Sequence, residues 1–394
     1  MRIFRYCIAV LSLLILQGVS QAAVLPDERV DALYHSYDGG DVQVTGPSVL
    51  VRKGISTNWS TSFNYYTDYI TSASIDVIIG GSPYEEERTE QTLGFDYLRG
   101  KTTMNLSYTK SIENDYDADT ISFGISQDFF GDLSTITMGY AEGSNLVGQR
   151  VSNNPKVFED RASIDRKNYR VGFSQVITKN ATLGFGWETI TDEAASLNNS
   201  GVTLNNPYRS YSFGIPGTSR SFAQEKYPKT RTSNAASLRA NYFLPFKAAI
   251  HAEYRWFQDS WGIRSDNYGL SYVHPIGDWI LDFRYRYYSQ TKADFYRDMF
   301  DFADQFDFMA RDKELSTYTS TSLGFSASYE FAKNGWGFID KGSLNFSYDI
   351  ITFDYKDWRN ACESQCAGGT ASPGLEPFYS FDAEVIQAFI SIWY

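Results

Sequence analysis

Three aspartates at alternate positions form the clearest candidate metal site in this sequence. Asp115, Asp117 and Asp119 offer carboxylate oxygens at a spacing that can wrap a hard cation such as Ca²⁺. An EF-hand loop also needs glycine at its sixth position and glutamate at its twelfth, where this chain has Thr120 and Ser126. The pattern therefore leaves two interpretations open, a cation site or the solvated rim of a loop.

A second segment with chemical potential is residues 294–312, where six aspartates alternate with five phenylalanines. Carboxylates among aromatic rings can bind a cationic ligand, or the segment can close over a pore as a short helix. The simpler interpretation is structural packing of a loop. The sequence does not decide among these three possibilities.

The cysteines point to a disulfide. Cys362 and Cys366 lie in a stretch rich in glycine and proline, and an even pair in an oxidising compartment favours a bond that stiffens the loop. Metal binding by two thiolates would need more ligands, and the three histidines, His35, His251 and His274, lie far away in sequence.

The sequence lacks the motifs that hydrolytic enzymes usually contain. No Gly-x-Ser-x-Gly motif is present, and none of the histidines has an obvious serine or aspartate companion. We therefore expect no enzymatic activity and no cofactor.

Along the body of the chain, segments alternate apolar and polar side chains with a period of two, which predicts β-strands. After Pro245 and after Asp278, apolar side chains alternate with charged ones. Charged groups cannot face hydrocarbon cheaply, so in a membrane barrel they must point inward. Either these charges pair to fill and rigidify the barrel, or they select a solute. The predicted lumen-facing charges are Arg239, His251, Glu253, Arg255, Asp282, Arg284 and Arg286.

The last nine residues, 386–394, have an unbroken apolar face that ends on the aromatic Tyr394. Outer-membrane barrels commonly end in this way, because the final strand closes the sheet and is recognised by the assembly machinery. We therefore predict Tyr394 to be the assembly signal.

The strand pattern predicts an all-β fold, a transmembrane antiparallel up-and-down β-barrel with short periplasmic turns and long extracellular loops. About fifteen strands are countable, and residues 29–37 supply one more to give an even sixteen. The alternative is fourteen strands with the N-terminal segment as a plug in the lumen. The predicted long loops are residues 70–88, 142–166, 191–232, 291–316 and 356–381.

The N-terminus predicts export. Arg2 and Arg5 precede a short apolar run and a small-x-small site ending at Ala22, so we assign residues 1–22 to a signal peptide and 23–394 to one barrel domain. Removing the two arginines takes the formal net charge from −12 to −14, which disfavours nucleic-acid binding. The 29 Tyr, 28 Phe and 8 Trp fit the aromatic girdles of a membrane barrel, so we expect the cell outer membrane.

Several segments resemble a known family. They are residues 33–40 (LYHSYDGG), 46–53 (GPSVLVRK), 72–77 (SASIDV), 96–101 (DYLRGK), 206–210 (NPYRS), 311–316 (RDKELS) and 380–383 (SFDA). The chain is similar here to uncharacterised Gram-negative outer-membrane barrels catalogued as domain of unknown function 3570. The resemblance implies the company of a lipoprotein-like peptide, a thioredoxin-like protein and a flavin transferase, and assigns no catalytic residue.

Three functional hypotheses follow. The first is a pore or export conduit, associated through the family resemblance with an envelope redox system of flavinylation and thioredoxin-like type. The second is a non-conducting barrel that serves as sheath or docking platform for a redox partner, and the third is a surface receptor with acidic loops. The expected partners are outer-membrane lipid and lipopolysaccharide, the barrel assembly machinery and a periplasmic or lipoprotein redox protein.

Overall fold

The structure is a computed structural model, and it describes residues 24–75, 84–151, 154–196, 204 and 209–394. The signal peptide predicted at residues 1–22 lies outside these ranges. No helix in the described part of the chain is long and apolar enough to cross a membrane.

Eighteen strands are described. They are β1 (Arg29–Gly39), β2 (Val42–Ser56), β3 (Trp59–Ser72), β4 (Tyr84–Arg99), β5 (Thr102–Ile112), β6 (Tyr116–Phe129), β7 (Ser134–Val151), β8 (Asn154–Thr178), β9 (Ala181–Ser196), β10 (Ser210–Ile215), β11 (Ser219–Gln224), β12 (Thr230–Phe243), β13 (Ala249–Asp259), β14 (Arg264–Ile276), β15 (Trp279–Gln290), β16 (Tyr318–Phe331), β17 (Lys341–Arg359) and β18 (Phe378–Trp393). A 3-10 turn at Lys313–Leu315 and a helical turn at Cys362–Gln365 lie in the loops.

Sixteen of these strands form one closed antiparallel barrel. Each strand pairs with its neighbour in sequence, except that β9 pairs directly with β12 because β10 and β11 form a separate hairpin. The ring closes where Arg29 of β1 pairs with Trp393 of β18. The prediction of sixteen strands is confirmed, and the alternative of fourteen strands with an N-terminal plug is wrong because residues 29–39 complete the sheet.

The two faces of the barrel wall differ as a bilayer requires. On β15, Phe283 and Tyr285 are exposed on the outer surface, and they alternate with Asp282 and Arg284, which point inward. The same outward band of large apolar residues continues around the other strands. A closed barrel leaves no unpaired edge in hydrocarbon, so the protein is an outer-membrane β-barrel.

The two ends of the barrel are unequal. At one end, which we call the turn end, lie the start of β1 and the finish of β18. The strands there are joined by turns of two to five residues, except that the nine residues 332–340 join β16 to β17. We call the opposite end the loop end. At the other end β1 and β2 join through Gly40 and Asp41, both at positive φ (59° and 60°), as a tight hairpin turn requires. The remaining connections there include the long segments 197–229, 291–317 and 360–377.

One predicted loop is mostly strand. The sequence suggests a loop at residues 142–166, whereas β7 continues to Val151 and β8 begins at Asn154. Strands that pair with each other satisfy their own backbone groups, so a hairpin can extend beyond the bilayer without apolar alternation to mark it. The predicted loop at residues 191–232 also contains structure, the β10–β11 hairpin.

Candidate functional site

The long loops fold over the mouth of the barrel instead of standing in solvent. We call residues 209–229, 291–317 and 360–377 the cap. Tyr296 and Leu315 of the cap belong to the same buried hydrophobic cluster as Tyr318 and Tyr355, which point inward from β16 and β17. The cap therefore packs against the inner wall of the barrel at its loop end.

An aromatic wall receives the cap. The rings of Phe353 and Phe381 stack with centroids 4.7 Å apart, and those of Tyr318 and Tyr355 lie 5.2 Å apart. Lys313 of the cap places its ammonium 6.0 Å from the centroid of Phe381. Buried rings contribute strongly to packing, so this wall anchors the cap. The wall consists of Tyr288, Tyr318, Phe353, Tyr355, Tyr379 and Phe381.

A buried ion pair joins separate parts of the cap. The guanidinium of Arg220 on β11 lies 2.9 Å from Glu376 Oε2, and both side chains are 0% exposed. Asp298 of the 291–317 segment lies 3.5 Å from the same guanidinium, and Ser364 donates a hydrogen bond to Glu376 Oε1. All three cap segments therefore meet at one charged cluster.

A second cluster ties the cap together nearer the barrel wall. Arg209 Nη1 lies 3.0 Å from Asp312 Oδ1, and the hydroxyl of Tyr227 donates to Glu225 and to Asp312 at 2.9 and 3.2 Å. Burial, followed by the charge of Asp312, raises the pKa of both Glu225 and Glu314 above the usual range. The closed cap thus concentrates carboxyl groups in a dry environment.

The cysteine pair lies inside the cap. Cys362 and Cys366 are joined by a disulfide with their Cα atoms 4.7 Å apart, across the turn that positions Ser364 against Glu376. Cys362 also packs against the main hydrophobic cluster.

Replacing both cysteines by serine should loosen the 360–377 segment without unfolding the barrel. A closed loop this short constrains the unfolded chain by about 2 kcal/mol. We expect limited proteolysis to cleave the Cys362→Ser, Cys366→Ser variant between residues 360 and 377 faster than the wild type. Electrophoretic mobility of the unheated and heated barrel should stay unchanged, and a lowered temperature of barrel unfolding would contradict this local role.

Below the cap, the inner wall carries ion pairs between neighbouring strands. Arg239 Nε lies 3.0 Å from Glu253 Oε2. Glu188 on β9 binds two arginines, Arg170 at 3.1 Å and Arg255 at 2.7 Å. Glu188 and Arg170 were not among the predicted lumen charges, although the same alternation along β8 and β9 would have indicated them.

The other predicted lumen charges lie on the same side of the barrel. Arg284 lies 2.9 Å from both Asp282 and Asp349. His251 Nδ1 and Asn241 Oδ1 are 2.6 Å apart. Arg286 Nε donates to Asn267 Oδ1 at 2.7 Å.

The opposite side of the lumen is neutral at mid-height. Ser107 on β5 and Ser122 on β6 are hydrogen bonded at 2.9 Å, and Thr92 and Thr109 likewise at 2.9 Å. The lumen is therefore asymmetric, with a charged wall on β8 to β17 and a hydroxyl wall on β4 to β6.

Charged side chains of the lumen differ in exposure between mid-barrel and the cap. The charged side chains under the cap are buried, whereas Arg170 and Arg239 at mid-barrel keep 49% and 39% of their side-chain surface exposed. Large charged side chains retain such exposure inside a barrel only where water reaches them. The described charged side chains at mid-barrel are therefore more exposed than Arg220 and Glu376 in the cap.

A polar row crosses the inner wall on the N-terminal strands. His35 Nε2 lies 2.7 Å from Asp68 Oδ1, and Arg88 lies 3.7 Å from Asp68 and 3.6 Å from Glu113. Gly46 separates His35 from Asp68 in the row, and a Cβ there would lie 1.8 Å from the backbone oxygen of residue 67. Sequence reasoning missed this row, because its members lie on separate strands and in the connection after β5.

The three predicted metal ligands do not come together. Asp115 is buried in the 113–115 connection, within 4.8 Å of carboxylate oxygens of Glu86 and Glu113. Asp117 and Asp119 instead lie on the face of β6 that carries the exposed outer side chains, where Asp119 accepts a hydrogen bond from a tyrosine on β5. The chain turns just before β6, which rotates Asp115 away from the other two.

The regrouped carboxylates are a different candidate from the predicted set. Glu86, Glu113 and Asp115 offer oxygen ligands suited to a hard cation. Burial raises the pKa of Glu113 to about 7, although Arg88 opposes the shift. A cation here would have to displace that proton.

Tyr394, the predicted assembly signal, lies at the turn end of the barrel. Its hydroxyl donates to the backbone oxygen of Arg52 at 3.1 Å, and the ammonium of Lys53 lies 4.8 Å from its ring centroid. Tyr394, which follows β18, thus reaches over β1 and contacts β2.

Comparison with solved structures returns other outer-membrane barrels. A bacterial polysaccharide outer membrane secretin is 8% identical, with 94% of this chain and 99% of that chain covered and a TM-score of 0.49. A loop L8 deletion mutant of OmpT, an outer membrane protein of Vibrio cholerae, is 10% identical, with coverages of 93% and 98% and a TM-score of 0.41. OccK2 of Pseudomonas aeruginosa in complex with glucuronate is 9% identical, with coverages of 93% and 98% and a TM-score of 0.42.

Identities this low say nothing about what binds to this barrel, and no curated protein matches the chain. A family model, described as protein of unknown function (DUF3570), matches residues 76–341, which is more than half of the chain. The protein therefore belongs to the DUF3570 family of outer-membrane β-barrels.

Proposed function

We propose that this protein is a conduit that opens toward the periplasm and is closed at the cell surface by its cap. The change in exposure along the lumen carries this proposal. Arg220 and Glu376 in the cap are 0% exposed, whereas Arg170 below it is 49% exposed. A barrel of sixteen strands is wide enough for an aqueous channel unless loops plug it.

The proposal makes the barrel a passage and assigns it no catalytic step. The side chains of the wet lumen are held in ion pairs along the wall, as in Arg239 with Glu253. Such pairs keep the charged wall fixed while solute and water pass. A solute from the periplasm would meet the inner surface of the cap and would leave only when the cap moves.

Cysteine labelling tests which end is open. Ser122→Cys places one free thiol on the hydroxyl wall, since Cys362 and Cys366 are disulfide bonded. In intact cells, a membrane-impermeant maleimide applied from outside should label this thiol much more slowly than Asp301→Cys on the exposed part of the cap. In detergent, where both ends are accessible, Ser122→Cys should label readily.

Two results would overturn the proposal. Equal labelling of the two thiols in intact cells would mean that the cap does not close the mouth. Slow labelling of Ser122→Cys in detergent would mean a filled lumen, and the protein would then be better described as a sheath or docking platform for an envelope redox partner.

We also propose the partners that the outer surface suits. The exposed outward rings, among them Phe283 and Tyr285, suit lipid and lipopolysaccharide, and Tyr394 at the end of β18 suits recognition by the barrel assembly machinery. Deleting Tyr394 should lower the amount of barrel recovered in the outer membrane, and equal recovery would remove this assignment.

A further inference from the structure

We infer that the charged wall of the lumen holds a binding subsite for the anionic group of a solute, formed by Arg286 with Arg255 and Asn267. The inference rests on the proposed conduit and names the chemical class of what it carries. It begins from a difference in ion pairing among the lumen arginines.

Arg286 differs from the neighbouring lumen arginines in its hydrogen-bond partner. Its Nε donates to the neutral amide oxygen of Asn267 at 2.7 Å. Among the residues that the structure describes, no carboxylate lies within 4.0 Å of its guanidinium. Arg284, two residues away on the same strand, lies 2.9 Å from both Asp282 and Asp349. Arg286 therefore forms no ion pair with any of the described residues.

The wall around Arg286 also has an excess of positive charge. Glu188 is shared by Arg170 and Arg255, so one carboxylate serves two guanidinium groups. On β8 to β15 the inward charges below the cap include Arg170, Arg239, Arg255, Arg284 and Arg286 against the carboxylates of Glu188, Glu253 and Asp282. The hydroxyl groups across the lumen at mid-height, those of Thr92, Thr109, Ser107 and Ser122, are uncharged.

Asn267 lies on β14, between the strands that carry the two arginines of the subsite. It pairs in register with Arg255 on β13 and accepts the hydrogen bond from Arg286 on β15. Because Nε of Arg286 is used in this way, its two terminal nitrogens are left to bind a planar oxyanion through two parallel hydrogen bonds. Carboxylate and phosphate groups share this chemistry.

The subsite lies directly below the cap. The Arg286 guanidinium is 5.9 Å from the ring centroid of Tyr288, whose hydroxyl donates to Gln290 at 2.7 Å. Gln290 in turn donates to the backbone oxygens of Glu314 and Ser316 in the cap, both at 2.8 Å. An anionic solute that enters from the periplasm would thus be bound at the closed end of the passage.

Isothermal titration calorimetry with pyrophosphate and with citrate tests the subsite on the full barrel in detergent. Arg286→Gln should weaken binding about tenfold or more, since a charge-assisted bidentate contact is lost. The affinity of Arg286→Lys should lie between those of the wild type and of Arg286→Gln, because lysine keeps the charge without the planar fork. Lys110→Gln is the matched control, since it removes the same charge from the outward face of β5.

The two probes separate the sources of the anion, since tighter citrate binding indicates carboxylates and tighter pyrophosphate binding indicates phosphates. Equal affinity of Arg286→Gln and Lys110→Gln would overturn the inference, as would absence of measurable binding by the wild type. Unchanged heat-dependent mobility of each variant would show that the barrel is folded.

Failure of the proposed subsite and failure of the proposed conduit give different results. Arg286-dependent binding in a barrel that never conducts would leave the subsite and remove the conduit. Conduction by a barrel whose anion binding does not depend on Arg286 would support the conduit and overturn the subsite.

Discussion

Deleting residues 294–312 should convert a silent barrel into a conducting one. The segment supplies Tyr296, Phe300 and Met309 to buried clusters of the cap and Asp298 to its ion network. Without it the aromatic wall loses its covering, and the wet lumen connects to the outside. Planar-bilayer recordings of the refolded wild type should show no steps, whereas the deletion variant should show steady ohmic steps.

The deletion can be made without straining the barrel. Ala293 donates its backbone N–H to the carbonyl of Leu315 at 2.8 Å, so the two ends of the removed segment already lie side by side. A short Gly-Ser-Gly linker can join Ala293 to Lys313. The sixteen strands lose no ladder hydrogen bond, so the deletion variant should fold and keep its heat-dependent mobility.

A matched control changes the same segment without removing its buried side chains. Phe302, Phe306 and Phe308 are all exposed, so their replacement by serine leaves the cap closed. This triple variant should remain as silent as the wild type. Silence of the deletion variant as well would mean a filled barrel, and open steps in the wild type would mean that the cap does not close it.

Breaking the buried ion pair of the cap should open the mouth nearly as well as deletion. Glu376→Ala leaves the guanidinium of Arg220 buried, with Asp298, 3.5 Å away, as its one remaining ion-pair partner among the described residues. Removing one partner of a buried pair costs about 3–5 kcal/mol, because the other charge stays desolvated. We therefore expect surface labelling of Ser122→Cys to accelerate about a hundredfold or more in this background.

The double replacement Arg220→Met, Glu376→Leu separates the cost of an orphaned charge from loss of packing. Apolar residues of similar volume often replace a buried pair without loss of stability. The double variant should therefore label slowly, like the wild type, although Glu376→Ala labels fast. Fast labelling of both would mean that packing volume, and not charge pairing, closes the cap.

An exposed ion pair provides the control for this experiment. Lys226 and Asp304 form a contact at the surface of the cap, with Asp304 70% exposed. Water screens such a pair, so Asp304→Ala should leave the labelling rate unchanged. Equal acceleration by Asp304→Ala and Glu376→Ala would show that any change in the cap opens it.

The deletion experiment probes a segment whose composition was visible in the sequence, although its role was not. Aspartates among phenylalanines at residues 294–312 suggested a cationic ligand, a lid or simple packing. The structure places Phe300 in a buried cluster and leaves Phe302 exposed. No periodicity separates the two rings, because the loop has no regular secondary structure to impose one.

The candidate metal site shows the same limit. Asp115, Asp117 and Asp119 are evenly spaced in the chain, and their spacing suggested one site. A strand boundary between Asp115 and the other two directs them to different environments. Glu86 comes within reach of Glu113 and Asp115 only through the pairing of β4 with β5.

By itself, the sequence determined the barrel, because the bilayer imposes a local rule. Every spanning strand must pair its backbone and alternate its side chains between lipid and lumen. A period of two in each short segment therefore predicted about fifteen strands, the need for an even number favoured sixteen, and several of the inward charges could be named. Only the tertiary structure decided how the mouth is closed. Arg220 and Glu376 are 156 residues apart, and contacts between loops depend on non-local packing that leaves no periodic trace in the chain.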